Sequence, residues 1–135
     1  MNLELIWPSL VTVLALIVYF ILGINVGRAR VKYKILPPQM LDNPDFERVV
    51  RVHQNTLENL IMFLPALWLF SLWVNPFWGA GIGAIWIVGR VLYAQGYYQA
   101  VEKRLIGFGI STGAIVILLI GTLIGLAFPL VKSFT

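Results

Sequence analysis

The sequence has no cysteine in 135 residues, a single histidine, His53, and few charges. Without cysteine the chain forms no disulfide and supplies no thiol nucleophile of its own. Any sulfur chemistry must therefore use a thiol carried in by a substrate, and the redox compartment leaves no trace. One histidine and no cysteine also leave no ligand set for a His/Cys metal site. Only 12% of the residues are charged and 59% are hydrophobic, against about 25% and about 45–50% in soluble domains. That balance excludes an ordinary soluble domain and, equally, a disordered chain. No internal repeat, Gly-rich phosphate loop or Ser-His-Asp arrangement is visible.

What is present is a set of apolar runs. Leu5 to Gly27 is 23 residues without a charge, enough to span about 30 Å of hydrocarbon at about 1.5 Å per residue. It lacks the basic leader and short core of a signal peptide, so it reads as a retained membrane helix with Trp7 at an interface. Residues 28–53 carry six of the basic side chains, and Pro37-Pro38 and Asn43-Pro44 break any helix there; they read as an extramembrane loop. The second helix starts after Pro44, with Asn43 or Asp45 as its cap, and Pro65 is expected to kink it or loosen one turn. Asn75-Pro76 is a tight turn. A third helix covers Phe77 to Ala100, and Leu105 to Val131 is a fourth run of 27 uncharged residues.

The expected fold is therefore an all-α membrane protein: one domain over residues 1–135, a bundle of four transmembrane helices near 5–27, 45–74, 77–101 and 105–131. The net charge of +4 is uneven. The first and third loops hold eight of the ten Lys and Arg residues. The positive-inside rule puts the basic segments 28–53 and 102–104 in the cytoplasm and the termini on the opposite side. A basic loop of this kind is a membrane flank and gives no sign of nucleic-acid binding. Gly23/Gly27, Gly79/Gly83, Gly109/Gly113 and Gly121/Gly125 are each spaced by four, which permits close helix approach. Glycine is also common in membrane helices, so the spacing alone does not decide.

Two polar stripes interrupt the apolar pattern. At about 100° per residue, Arg51, Asn55 and Glu58 fall at roughly 0°, 40° and −20° on the second helix. Arg90, Tyr93, Tyr97 and Arg104 fall at roughly 0°, −60°, −20° and −40° on the third. A charge at mid-membrane costs roughly 2.5–3.5 kcal/mol on insertion scales, so these groups must face the bundle interior, a partner or a wet cavity. A structural ion pair of Glu58 with Arg90 or Arg51 explains two of them. It leaves Asn55, two tyrosines and a further arginine unexplained. A site for a polar anionic ligand explains them together: arginines take carboxylates, Glu58 an ammonium and Asn55 an amide. Glutathione carries all three kinds of group. An arginine beside its thiol favours the thiolate, and Arg104, framing the mouth with Tyr97, is the candidate. His53 lies about 200° from Arg51 and faces away.

The segment Glu47-Arg48-Val49-Val50-Arg51-Val52-His53-Gln54-Asn55-Thr56-Leu57-Glu58 resembles the signature of the MAPEG family, the membrane-associated proteins of eicosanoid and glutathione metabolism. Ala84-Ile85-Trp86-Ile87-Val88-Gly89-Arg90-Val91-Leu92-Tyr93-Ala94-Gln95-Gly96-Tyr97-Tyr98 resembles its third-helix motif, most nearly that of the type-three microsomal glutathione transferases. The resemblance implies a homotrimer with glutathione between neighbouring subunits near the cytosolic face. It implies that Arg51, Asn55, Glu58, Tyr93 and Tyr97, with Arg90 beside them, hold glutathione. Arg104 would stabilise the thiolate, and Arg30 and His53 would reach in from the adjacent subunit. Arg28 stays open as an alternative to Arg30. Asn59 and His53 depart from the leukotriene-synthase branch, and Asn59 after Glu58 resembles the type-one transferases, so the second substrate is not fixed.

The expected function is a membrane-bound glutathione transferase. It would conjugate glutathione to lipophilic electrophiles from the bilayer and reduce lipid hydroperoxides, with glutathione as co-substrate and no metal. Two alternatives stand. One is a four-helix multidrug carrier driven by protonation of Glu58. The other is a non-catalytic lipid-binding member of the family.

Overall fold

The computed structural model describes residues 2–135. A single 3-10 turn, Leu3–Leu5, leads into α1 (Ile6–Tyr33). There follow α2 (Pro44–Trp73), α3 (Pro76–Gln99), a 3-10 turn over Val101–Arg104, and α4 (Leu105–Lys132). All four helices are long and apolar enough to cross a membrane. They run up and down in turn. Trp7 near the start of α1 meets Phe77 at the start of α3, 5.7 Å between ring centroids. Asn25, late in α1, meets Tyr98 at the end of α3.

The same device opens α2 and α3. Asn43 accepts a hydrogen bond from the Phe46 N–H at 3.0 Å, and Asn75 accepts one from the Trp78 N–H at 2.9 Å. In both cases the next residue is proline, whose fixed φ suits the first helical position and whose missing N–H costs nothing there. Each Asn-Pro pair therefore ends a connection and starts a span. Pro65 does not stop α2, which is helical throughout from Pro44 to Trp73.

Two expectations about segments are corrected. Arg28, Arg30 and Lys32 are not in a loop. α1 continues through them to Tyr33, where Lys34 turns left-handed at φ 56° and closes it. Charges mark where a helix leaves lipid, not where it ends: 28 residues make about 42 Å, against about 30 Å of hydrocarbon. Nor does α3 reach residue 101. Ala100 is extended at φ −163° and ψ 151°, and Arg104 lies in the turn beyond it.

The apolar core sits between α2, α3 and α4, around Phe63, Leu67, Trp86, Ala114 and Leu118, with Val11 and Ala15 of α1 added at one side. Phe63 and Trp86 stack at 4.0 Å and 1°. The tightest approach joins α3 and α4. A Cβ on Gly107 would strike the backbone of Tyr93 and Gly89, and one on Gly89 would come within 2.7 Å of the Ser111 nitrogen. Of the four spaced pairs, Gly79/Gly83 and Gly121/Gly125 face close neighbours, whereas Gly109 and Gly113 face nothing within 4 Å.

Candidate active site

The site is built on the α2–α3 seam, where apolar packing gives way to polar groups. Its deepest member is Asn59, whose Oδ1 accepts the Trp86 indole N–H at 2.7 Å. Both side chains are buried, so each satisfies a group that would otherwise be stranded. One turn closer to the basic end lies Arg90, with 0% of its surface exposed. It enters the core because Gly89 lets α4 close in behind it and α2 offers oxygens in front.

Arg90 has three oxygen partners. Its Nη2 donates to Asn55 Oδ1 at 2.9 Å and to Thr56 Oγ1 at 2.8 Å, and its Nη1 donates to Ser111 Oγ at 3.4 Å. The Ser111 hydroxyl lies within donor reach of the Gly107 carbonyl, 3.0 Å away. The guanidinium also lies over the Tyr93 ring, 4.1 Å from the centroid. Its Nε has no hydrogen-bond partner among the described residues. Among the described residues no carboxylate pairs with it; the ion pair found joins Arg48 to Asp45 at the surface. Dipoles and a π face hold this charge, which keeps it in place without neutralising it.

Toward the basic end the contacts continue. The rings of Tyr93 and Tyr97 meet edge to face at 5.5 Å, and the Arg104 guanidinium lies 5.8 Å from the Tyr97 centroid. Arg104 is fixed by its own turn, through a bond from Nη1 to the Val101 carbonyl at 2.6 Å. Tyr93 is buried against Leu22 of α1 and Val52 of α2.

Of the residues singled out from the sequence, Asn55, Arg90, Tyr93, Tyr97 and Arg104 form one unbroken line of contacts. Arg51 and Glu58 stand exposed on α2 beside it. Arg51 donates to Gln54 at 3.4 Å and borders a cleft of about 200 Å³ with Met40, Glu47 and Val50. One chain thus builds one wall with an open outer side. Arg30 and His53 do not join it. Arg30 lies 5.1 Å over the Phe46 ring and donates to the Gln39 carbonyl at 2.8 Å. His53 stacks on Tyr19 of α1 at 4.6 Å. Arg28 lines a separate cleft with Asn25 and Tyr98.

Two placements differ from the helical-wheel reading. Arg90 is sealed inside the seam and does not present its guanidinium outward. Arg104 is not on α3, so its angle on that helix has no meaning; the turn after Ala100 brings it over Tyr97 instead. Thr56, Ser111 and Trp86 have no role assigned from the sequence, although Thr56 and Trp86 lie inside the two motifs. Small hydroxyls and indoles are unremarkable in a membrane helix, and only the burial of Arg90 and Asn59 gives them a purpose.

Comparison with known proteins agrees with the motifs. The model of the family described as MAPEG matches residues 8–124. A protein of Synechocystis described as uncharacterized is 52% identical over 127 residues, covering 94% of this chain and 93% of its own. The human protein named microsomal glutathione S-transferase 2 is 38% identical over 105 residues, covering 78% and 71% respectively. The bovine protein named leukotriene C4 synthase is 28% identical over 116 residues, covering 86% and 77%.

Proposed function

The chain belongs to the MAPEG family and is an integral, multi-pass membrane protein; from that premise we propose that it is a glutathione transferase acting at the membrane surface. The observation that carries the reading is the line of contacts from Arg104 through Tyr97, Tyr93 and Arg90 to Asn55. It places a cation, two hydroxyls and an amide along one wall. Similarity to relatives named microsomal glutathione S-transferase 2 and leukotriene C4 synthase supports glutathione as the thiol substrate.

Arg51 takes a glutathione carboxylate, Glu58 the ammonium, and the N–H groups of Asn55 an amide carbonyl. Arg90 touches no ligand in this scheme. It fixes Asn55 and the Tyr93 ring. Arg104 stabilises the thiolate but cannot remove the proton, which leaves to water at the basic end. The thiolate then attacks an electrophile dissolved in the bilayer, forming a carbon–sulfur bond and expelling the leaving group. With a lipid hydroperoxide, two glutathione molecules become the disulfide and the peroxide becomes alcohol and water. Holding the thiolate beside a membrane-dissolved partner supplies activation and proximity together.

The open wall supports a homotrimer in which a neighbour closes the site. Arg30 and His53, remote from the wall within one chain, are then the neighbour's contribution. The basic end faces the cytoplasm and the termini lie opposite. A proton-coupled carrier predicts a single isolated carboxylate, whereas Glu58 shares the exposed face of α2 with Arg51. A non-catalytic member would have no use for Arg104 beside Tyr97.

The test is a glutathione titration of the detergent-solubilised protein, following ultraviolet thiolate absorbance and conjugation of a chlorinated aromatic. Thiolate formation with conjugation is expected. Glutathione-independent proton-coupled efflux from vesicles, without either signal, would replace this reading with the carrier.

A further inference from the structure

Two depressions outside the candidate active site meet at Asn25 and Tyr98. At the basic end a cleft of about 560 Å³ opens between α1, the start of α2 and the end of α3, with Arg28, Lys32 and Tyr33 on one wall and Asp45 at the rim. Deeper in the bundle an apolar groove of about 230 Å³ runs between α1 and α3, lined by Val18, Leu22, Val91 and Ala94. Asn25 and Tyr98 line both. Between the two, Asn25 Nδ2 donates to the Tyr98 hydroxyl at 3.1 Å. That oxygen still has its own proton to donate.

The order of groups along α1 is the key observation. Val18, Leu22, Asn25, Ala29 and Lys32 step by three or four residues and so share one face. Over about 20 Å of helix that face changes from apolar, through one amide, to cationic. Among the described residues neither Arg28 nor Lys32 has an ion-pair partner, while Asp45 is already paired with Arg48. The Lys32 ammonium rests 5.3 Å from the Tyr33 ring. The cleft is therefore net cationic, and it lies where α1 leaves the hydrocarbon.

We infer that this face holds an anionic phospholipid, with its phosphodiester between Arg28 and Lys32 and one acyl chain in the α1–α3 groove. A free anion would use the cleft and ignore the groove. An uncharged lipid would use the groove and ignore the cations. A membrane phospholipid uses both, in the order and direction in which they occur. The Tyr98 hydroxyl is placed to donate to the glycerol ester or the phosphate. Of these side chains only Arg28 is a candidate for the glutathione site, as the alternative to Arg30, and it lines this separate cleft. Lys32, Asn25, Tyr98 and the groove have no part in that site, so the inference stands apart from the transferase reading.

The intact protein is reconstituted with equimolar phosphatidylglycerol and phosphatidylcholine, then re-extracted, and the retained lipid is quantified by native mass spectrometry. Wild type retains phosphatidylglycerol preferentially. Lys32→Gln reduces the preference about fivefold, as expected for one interfacial cation, and Arg28→Gln with Lys32→Gln removes it. Lys32→Arg keeps it, which controls for folding. Val91→Trp, filling the groove, lowers retention of both lipids. Equal retention of the two lipids by wild type overturns the proposal, as does an unchanged preference in the double variant. Displacement of the lipid by free glycerol phosphate would instead make this a soluble-anion site. A double variant with altered oligomeric mass, on a wild type that retains no lipid, would mean that a second copy of the chain covers the face.

Discussion

Asn55 Oδ1 accepts from Arg90 Nη2 at 2.9 Å, and this bond sets which half of the Asn55 amide looks outward. With its oxygen committed to the buried guanidinium, the amide has its N–H groups left for a ligand. Removing Arg90 should therefore disturb binding without any loss of direct contact. Arg90→Met is expected to strand the buried Thr56 hydroxyl, at about 1–3 kcal/mol for a buried group left unpaired, and to release the half-buried Asn55. It should lower the melting temperature in detergent and weaken glutathione binding together. Arg90→Lys should recover little of either, because an ammonium has no planar fork to reach oxygens on two helices. Full binding by Arg90→Met would show that Asn55 does not depend on it.

Arg104 has the opposite profile. It borders the open wall, it is fixed by its own turn, and it supports no other side chain than Tyr97. Arg104→Ser is expected to retain glutathione affinity while losing thiolate absorbance, with conjugation reduced about 100-fold or more. Equal thiolate in variant and wild type would remove Arg104 from its role.

The trimer assignment has its own test. Arg51→Ala and the double change Arg30→Ala with His53→Ala should each inactivate the protein if both sets of groups serve one site. Co-expressed, the two inactive chains should regain partial activity, because a mixed trimer then contains some sites with every group intact. Activity that never recovers, in trimers proven mixed by mass, would place Arg30 and His53 outside the site.

The glycines offer a contrast with no ligand involved. Gly107→Ala pushes a methyl into the backbone of Tyr93 and Gly89. It should cost at least about 1–3 kcal/mol and, by displacing α3 from α4, shift Tyr93 and reduce activity. Gly109→Ala and Gly113→Ala meet nothing within 4 Å and should leave the monomer fold unchanged. Thermal unfolding of the three variants in one detergent decides it.

Helical periodicity made Asn55, Tyr93 and Tyr97 legible in the sequence, because residues three and four apart share a face whatever the tertiary structure. The wheel angle it gave Arg104 has no meaning, because a wheel assumes a continuous helix and Ala100 is extended, yet the pairing of Arg104 with Tyr97 is found. Periodicity could not expose the burial of Arg90, which depends on Ser111 arriving from α4. The Asn25–Tyr98 bond was invisible for the same reason: its partners are far apart in the chain, and each alone is ordinary. Glycine spacing did not separate Gly79/Gly83 and Gly121/Gly125, which face close neighbours, from Gly109/Gly113, which do not, and the closest approach, Gly89 to Gly107, crosses two helices and has no spacing to read.

A guanidinium enclosed by amide, hydroxyls and an aromatic face, with no acid beside it among the described residues, is held without an opposing charge. Water screens the field of a charge strongly and a dry interior screens it weakly. Any anion approaching the outer wall is drawn by Arg90 as well as by the arginines it can touch, and added salt should weaken the pull of the exposed pair far more than that of the hidden one.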